Sequence, residues 1–296
     1  MNHSSQCPAF VLVLGGGGVR GLAHVGVLKA LEHRGLVPSM IVGTSMGAVV
    51  GGMYAQLLSA DEVEKRIMDF LQSDDFKKIG LEQFSDSETN EHYSVLEQFA
   101  SHLRQRYFIS KSALGTGDFA QATLIQSLHK LLIDGMIEET RIPFAAVATD
   151  LVAGKEIIQQ SGSIIFAVAA SSAVPGVIAP LEHDGQLLID GTVTSTIPVQ
   201  AARTISQDPL IAIDVRRSLG SYENHHRGIE ILMRSGTITN YTLNQVYLQN
   251  ADVVLHPDVS AYDWNEFRRG EKCIRAGLEA VNDSVDRISN LLTTPR

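Results

Sequence analysis

A chain of 296 residues is long enough for one large α/β domain whose core needs neither disulfides nor metal to hold it. Its hydrophobic content of 44% and charged content of 19% are those of an ordinary globular protein. The net charge of −9, with no visible cluster of Lys and Arg, argues against nucleic acid as a partner and does not favour tight docking on anionic lipid.

The two cysteines, Cys7 and Cys273, stand far apart and in no Cys-x-x-Cys or Cys/His spacing. They suggest neither a disulfide framework nor a zinc site, and a reducing compartment fits best. Residues 1–8 lack the basic segment of a signal peptide, and no apolar run reaches the roughly 18 residues of a membrane span. We therefore expect a cytoplasmic protein with at most transient, peripheral membrane contact.

The first element is predicted to be a buried strand, because residues 10–14 form a continuous apolar run. Four glycines, residues 15–18, follow directly. Residues 21–32 then place apolar side chains at helical spacing, and Gly35 fits the C-cap. Strand, glycine loop and helix form the first half of a βαβ unit with an expected right-handed crossover.

The glycine loop is open to three interpretations. The pattern Gly16-x-Gly18-x-x-Gly21 fits a dinucleotide-binding fingerprint, but the next strand should then end in an acid, and none occurs between Gly35 and Leu58. A phosphate-binding P-loop would end in Gly-Lys-Ser/Thr, which is absent here. The third interpretation is an oxyanion hole made by successive backbone N–H groups at a helix N-terminus. Those N–H groups belong to Gly16, Gly17, Gly18 and Val19.

The next strand leads into a Gly-x-Ser-x-Gly motif, Gly43 to Gly47, followed by small, helix-compatible residues. This is the strand-turn-helix context of a nucleophile elbow, in which Ser45 stands on a sharp turn that only glycine neighbours allow. Taken alone, the motif is equally compatible with a glycine-rich helix start capped by an ordinary serine. Neighbouring parallel strands would bring Ser45 and the glycine loop to the same carboxyl edge of the sheet.

Beyond Leu58 the chain is predicted to alternate helices and strands in a single domain over residues 8–296. Ser59 to Glu62 resembles a capping box. The charge-rich residues 72–97 are either a lid or a solvated helical insertion without a catalytic part. The later predicted elements are helix 123–132, strands 142–150 and 155–159, helix 164–170, strand 185–189, strand 209–215, polar loop 218–227, helix 228–250, strand 251–255, and an amphipathic C-terminal helical segment within 265–293 that runs through residues 278–292.

A serine becomes a nucleophile only when a base takes its proton. His225, His226 and His256 lie late enough for the α/β-hydrolase order, but only one βα unit precedes the serine here, where those enzymes have several strands. His225 and His226 also lie in a polar loop, which is typical of solvated side chains, and His24 is best explained as a satisfied packing residue. Asp190 remains as a candidate base, at an Asp-Gly pair after a strand, although on these residues alone a plain turn aspartate is the preferred interpretation.

The three segments together resemble the patatin-like phospholipase family, in particular the bacterial branch similar to the catalytic domain of neuropathy target esterase. Residues Gly16 to Gly21 match its glycine-rich motif, Gly43 to Gly47 its Gly-x-Ser-x-Gly, and Asp190 to Thr192 its Asp-Gly-Gly/Ala. The resemblance covers about residues 10–215. It implies a three-layer α/β sandwich with a mainly parallel central sheet.

The resemblance also implies a serine lipid acyl hydrolase that acts on phospholipid, lysophospholipid or simpler acyl esters without metal or cofactor. Ser45 would be the nucleophile and Asp190 the proton acceptor, and the glycine-loop N–H groups would hold the oxyanion. The residues that support these motifs are Arg20, Gly21, Gly43, Gly47, Gly191 and Thr192. Thr192 departs from the family pattern, which has a small residue there, and its side chain could narrow the site or hydrogen-bond to Asp190.

Two hypotheses from other classes stay open. One is a catalytically weak or inactive member of the family that binds lipid or a protein partner in a regulatory role, for which Thr192 is the sequence support. The other is a dinucleotide-binding protein, which the missing acidic residue weakens.

Overall fold

The computed structural model describes residues 9–74, 76, 118–220 and 228–293, and it has the predicted α/β class. Its strands are β1 (Val11–Leu14), β2 (Met40–Thr44), β3 (Phe144–Asp150), β4 (Lys155–Gln159), β5 (Leu181–His183), β6 (Gln186–Asp190), β7 (Leu210–Ile213) and β8 (Val253–Leu255). They form one sheet in the order β5-β6-β3-β2-β1-β7-β8, with β4 also paired to β3.

The helices surround this sheet. They are α1 (Ala23–Glu32), α2 (Met46–Leu57), α3 (Ala60–Gln72), α4 (Asp118–Leu131), α5 (Ile164–Ser171), α6 (Val199–Ile205), α7 (Gly228–Leu248), α8 (Gly270–Asn282) and α9 (Val285–Thr293). Short 3₁₀ turns cover Gly18–Leu22, Ile137–Glu139, Gly191–Val193 and Phe267–Arg269. One half of the predicted capping box of α3 is present, because the Ser59 hydroxyl accepts a hydrogen bond from the Glu62 N–H.

Alternate residues of the central strands enter two separate cores. Leu12 and Leu14 of β1 pack in a large core with α1, α2, α3, α5 and α8, whereas Val11 and Val13 pack in a smaller core with α6 and the end of α7. This period of two arises because successive side chains of a strand point to opposite faces. The sheet is therefore the middle of three layers, as the resemblance implied.

Strands β1, β2, β3, β7 and β8 run parallel to one another, and β4 and β6 run antiparallel to β3. The carboxyl ends of β1 and β2 consequently lie at one edge of the sheet. The glycine loop leaves β1 at this edge, and Ser45 leaves β2 there, as predicted.

The end of β2 and the end of β6 meet on one side of β3. Thr44 pairs with Val147, and Asp190 pairs with Ala148, the next residue of β3. Strand β4 pairs with β3 over the same stretch, so it occupies the other side. Strand β6 thus continues along β3 from the point where β2 stops, and this places the last residue of β6 beside the turn that carries Ser45.

The sequence prediction missed the first strand of a hairpin. Strand β5 precedes β6, and the two are joined by Asp184 and Gly185 with φ angles of 49° and 79°. Two central residues with positive φ match the twist of antiparallel strands, and Asp-Gly is the pair most suited to them. The sequence contains this Asp-Gly pair, but the prediction places Gly185 at the start of the following strand and puts no strand before it.

The predicted continuous helix through residues 278–292 was also wrong. The chain instead forms α8 and α9, separated by a turn at Asp283 and Ser284. The Ser284 carbonyl accepts from the Ile288 N–H and so begins the second helix, a position that serine favours. The apolar spacing of three and four residues persists across the break, which is why periodicity alone did not reveal it. Of the suggested lid, residues 75 and 77–97 lie outside the described residues.

Helix α8 packs against α1 at backbone distance. A Cβ on Gly277 would overlap the carbonyl oxygen of Ala23, and a Cβ on Gly26 would overlap that of Ile274. The two helices can approach this closely because glycine occupies both crossing positions. Since α1 also follows the glycine loop, we propose that the C-terminal helices belong to the same folding unit as the rest of residues 8–296.

Gly277→Ala should lower the free energy of unfolding by about 1–3 kcal/mol, because the added methyl group forces α8 away from α1. The matched control is Gly236→Ala within α7, where a Cβ would meet open space. That change should be neutral or raise stability by up to about 1 kcal/mol. Urea unfolding of both variants measures the difference, and an unchanged midpoint for Gly277→Ala would argue against a single folding unit.

Candidate active site

Ser45 stands on a sharp turn between β2 and α2, with a φ angle of 54° and a ψ angle of −122°. A non-glycine residue in such a conformation costs about 1–3 kcal/mol and persists only where its surroundings fix it. A Cβ on Gly43 would lie 2.5 Å from the Gly47 carbonyl oxygen, and a Cβ on Gly47 would overlap that of Leu14. Glycine at both positions therefore lets the chain turn tightly enough to present the serine.

Ser171, at the end of α5, supports this turn through hydrogen bonds. The Ser45 N–H donates to the Ser171 hydroxyl at 2.9 Å, and that hydroxyl donates to the Val147 carbonyl at 2.6 Å. Ser171 is fully buried. Sequence reasoning did not assign it a role, because the contact spans 126 residues. Its only local signal was a Ser-Ser pair at the end of an apolar helix.

Asp190 is 1% exposed and lies at the end of β6, beside the serine turn. Burial raises the pKa of Asp190 to about 6, and this rise is opposed by hydrogen bonds from the Thr192 N–H and from the side chains of Ser45 and Thr192. The Thr192 N–H lies 2.8 Å from the carboxylate. The Ser45 side chain therefore lies close enough to the Asp190 carboxyl group to lower its pKa.

The Thr192 side chain lies between Asp190 and the glycine loop. It helps to lower the pKa of Asp190, and its methyl group packs where Gly16 has no side chain, because a Cβ on Gly16 would lie 2.5 Å from Thr192 Cγ2. The same Cβ would lie 3.2 Å from Ser45 Cβ, so Thr192, Gly16 and Ser45 are immediate neighbours. The Asn240 side-chain amide of α7 donates to the Thr192 carbonyl. Sequence reasoning missed Asn240, which no motif distinguishes.

Two of the four amides expected to form the oxyanion hole already donate elsewhere. The Gly16 N–H donates to the Thr196 carbonyl at 2.8 Å, and the Val19 N–H donates to the Trp264 carbonyl at 2.7 Å. The amides of Gly17 and Gly18 donate to no residue within the described ranges. Of the four predicted amides, those of Gly17 and Gly18 therefore have N–H groups available to bind an oxyanion.

Arg20 and Gly21 support the loop without facing the serine. The Arg20 guanidinium donates to the carbonyls of Val215 and Tyr262, each at 3.0 Å, and burial lowers its pKa. Arg20 therefore ties the loop to the chain after β7 and to the segment before α8. Gly21 packs against Met46, since a Cβ there would lie 2.6 Å from Met46 Cγ.

Gly191 and the histidines complete the list of predicted residues. A Cβ on Gly191 would overlap the Val147 carbonyl oxygen, so glycine is needed where the chain passes over the middle of β3. His225 and His226 lie outside the described residues. The side chain of His256 is 65% exposed, and its Nδ1 lies 3.6 Å from an Asp214 oxygen. The side chains that lower the pKa of the Asp190 carboxyl group are those of Ser45 and Thr192.

Comparison with known proteins gives a consistent result. A family model described as patatin-like phospholipase matches residues 12–203. An NTE family protein of Mycobacterium bovis is 34% identical over 219 residues, which are 73% of this chain and 51% of that protein. Human patatin-like phospholipase domain-containing protein 6 is 34% identical over 206 residues, which are 69% of this chain and 13% of that protein.

Among solved structures, human GIVD cytosolic phospholipase A2 matches 99% of this chain and 61% of its own, with a TM-score of 0.53 and 13% identity. This likeness supports the fold. The chain spans about half the length of its mycobacterial relative and a small part of the human one. No helix within the described ranges is both long and apolar enough to cross a membrane.

Thr192 provides a test of how the Asp190 carboxylate is held. Thr192→Val keeps the shape but loses the hydroxyl donor, so the pKa of Asp190 should rise by up to about one pH unit. An ester hydrolysis that needs ionised Asp190 should then lose rate on the acid side, with the limb of its pH profile moved to higher pH.

Thr192→Ser is the matched control, because it keeps the hydroxyl and removes only the methyl group. We expect its acid limb to stay at the wild-type position. The measurement is kcat/KM for a soluble nitrophenyl ester between about pH 4 and 9, a range that brackets an apparent pKa near 6. A profile for Thr192→Val that coincides with the wild type would mean that the hydroxyl does not stabilise the carboxylate.

Proposed function

Because the chain belongs to the patatin-like phospholipase family, we propose that it is a serine lipid acyl hydrolase that cleaves carboxylic esters through a Ser45–Asp190 dyad. The observation that carries the proposal is the position of the Ser45 side chain beside the buried Asp190 carboxyl group, close enough to lower its pKa. A serine needs a base near its hydroxyl group, and the Asp190 carboxylate is a base placed to serve Ser45 in this way.

In the first step, Asp190 accepts the hydroxyl proton while Ser45 Oγ bonds to the ester carbonyl carbon. The resulting oxyanion is held by the amides of Gly17 and Gly18, and the tetrahedral intermediate then expels the alcohol, which takes the proton from Asp190. In the second step, Asp190 accepts a proton from water, the hydroxide adds to the acyl-enzyme, and Ser45 leaves as its hydroxyl with that proton. The products are one carboxylic acid and one alcohol, so no metal or cofactor is required to balance the reaction.

The environment of Asp190 supports its role as the base. An ordinary carboxylate, with a pKa near 3.9, is a weak proton acceptor for a serine. Burial raises the pKa of Asp190 to about 6, which makes it more basic while leaving it about nine-tenths ionised at pH 7. The raised pKa therefore compensates in part for the absence of an imidazole.

Exposed apolar side chains near the site support an ester with an acyl chain as substrate. Val193, 47% exposed, follows the Asp190 turn directly. Leu151 and Val152, 55% and 66% exposed, extend from the end of β3, about 10 Å along that strand from the residue paired with Asp190. Both groups lie at the carboxyl edge of the sheet, where the acyl chain of a substrate bound at Ser45 would contact them.

The proposal is tested first by labelling with a fluorophosphonate, which traps an activated serine. Wild type should label at one serine, Ser45→Ala should not label, and Asp190→Asn should label at least about 10³-fold more slowly because its base is gone. Ser235→Ala, an exposed serine of α7, is the control and should label like wild type. Folded wild type that does not label would favour the inactive, lipid- or partner-binding alternative.

Asp190→Asn should also be more stable than wild type at neutral pH. The pKa of Asp190 rises from 3.8 to about 6 on folding, so the unfolded chain releases this proton first and folding stability falls as pH rises through that window. A difference of about two pH units corresponds to about 3 kcal/mol. Asparagine carries no such cost.

Urea unfolding at pH 7 and at pH 3.5 measures this difference. Asp190→Asn should be the more stable protein at pH 7, and the two should nearly converge at pH 3.5, where Asp190 is mostly protonated in both states. Equal stability at pH 7 would mean that Asp190 is not desolvated as strongly as its burial implies.

A further inference from the structure

His24, the second residue of α1, is fully buried beneath the glycine loop. Its Nε2 lies 2.7 Å from the Gly15 carbonyl oxygen, and its Nδ1 has no hydrogen-bond partner among the described residues. A carbonyl oxygen can only accept, so the proton is on Nε2 and Nδ1 carries a bare lone pair. The residue is thus only half satisfied, in contrast to the satisfied packing histidine that the sequence suggested.

A half-satisfied ring in the core is unfavourable compared with an apolar side chain of the same size. Burial also lowers the pKa of His24 to about 4, so the ring is neutral near pH 7 and keeps a single N–H. The only hydrogen bond that the His24 side chain makes in the described structure is the one to Gly15. That bond is therefore the feature that distinguishes histidine from a hydrophobic residue at this position.

The bond fixes one side of the Gly15–Gly16 peptide. Its carbonyl accepts from His24, and its N–H donates to the Thr196 carbonyl at 2.8 Å, so the peptide plane is held from both sides. The same carbonyl faces the nucleophile turn, because a Cβ on Gly47 would lie 2.9 Å from it. Glycines rotate more freely than other residues, and a run of four needs such restraint to hold one conformation.

The other end of the loop is fixed as well. The Val19 N–H donates to the Trp264 carbonyl, and Arg20 binds two further carbonyls. Between the two fixed ends lie the amides of Gly17 and Gly18, which have no acceptor in the described structure. These two amides can be preorganised for an oxyanion only if both ends of the loop are held.

We propose that His24 is a positioning residue for the oxyanion hole, whose Nε2–H clamps the Gly15–Gly16 peptide and so sets the direction of the Gly17 and Gly18 amides. The inference rests on the proposed hydrolase function for its kinetic consequence, but the clamp itself is a structural statement that can be tested without turnover. His24 does not touch the substrate and takes no part in proton transfer.

The test compares His24→Gln with His24→Met. A glutamine amide nitrogen can replace Nε2 as the donor, whereas methionine has a similar length and no donor. His24→Met should lower kcat for a nitrophenyl ester by about 10²-fold, the effect of misplaced catalytic groups, with KM changed by less than about threefold. His24→Gln should stay within about tenfold of wild type in kcat. Leu31→Ala, two turns further along α1, controls for lost stability alone and should keep the wild-type kcat.

Hydrogen exchange of the amides in residues 15–19 supplies a readout that does not depend on activity. It should be faster in His24→Met than in His24→Gln, with the control unchanged in this segment. Equal exchange and equal kcat in the two variants would overturn the clamp. If wild type neither labels nor hydrolyses esters, the hydrolase proposal fails, and the exchange comparison alone decides whether the clamp stands.

A third measurement covers the case in which neither His24 variant folds. The nitrogen NMR spectrum of wild-type side chains should show His24 as the neutral Nε2–H tautomer, with a slowly exchanging ring proton at pH 7. An Nδ1–H tautomer would overturn the inference, because Nε2 would then have no proton to donate to Gly15.

Discussion

The arrangement of the site depends on one constraint of the sheet, the shared side of β3. Strand β2 pairs with β3 up to Val147, and β6 takes over at Ala148 from the opposite direction. Strands β2 and β6, which are far apart in the sequence, therefore end at adjacent positions of β3, where Ser45 follows β2 and Asp190 is the last residue of β6. Backbone hydrogen bonds of the sheet thus fix the separation between Ser45 and Asp190, so the two side chains lose little conformational freedom in meeting. The hydroxyl of Ser171 reinforces the same point, since it connects the Ser45 N–H to the Val147 carbonyl.

The burial that this position imposes on Asp190 has two effects of opposite sign. It disfavours the charged form, which costs folding free energy at neutral pH, and it makes the same carboxylate a stronger base. The hydrogen bond from the Thr192 N–H, together with the nearby side chains of Ser45 and Thr192, limits the cost and keeps the group largely ionised near pH 7. Thr192 is therefore better understood as part of the site than as an obstruction. Its methyl group also finds room because Gly16 has no side chain, so the two residues fit as a pair.

Much of the fold, and the position of Ser45 and Asp190 at one edge of the sheet, could be predicted because the signals are local. A buried strand, a Gly-x-Ser-x-Gly turn and an Asp-Gly pair each report the conformation of a few consecutive residues. The sequence prediction failed at two places. It did not recognise Asp184 and Gly185 as the turn of a hairpin, and it did not detect the break between α8 and α9, because the apolar periodicity continues through that break. The choice among the four loop amides could not be predicted at all, because Thr196 and Trp264 use their backbone carbonyls. A carbonyl acceptor leaves no trace in the identity of its residue.

The glycine loop also depends on chain segments that lie beyond the family match. The family model stops at residue 203, yet the glycine loop is tied to the carbonyls of Val215, Tyr262 and Trp264 beyond it. These contacts need a chain that passes at the right place, and they need no particular side chain. A region that contributes in this way can change in sequence while the geometry of the site is kept, so a motif search finds Ser45 and Asp190 but not the segments that hold the loop. Asn240 is the exception, since its side-chain amide binds the Thr192 carbonyl and a change there would be felt directly at the Asp190 turn.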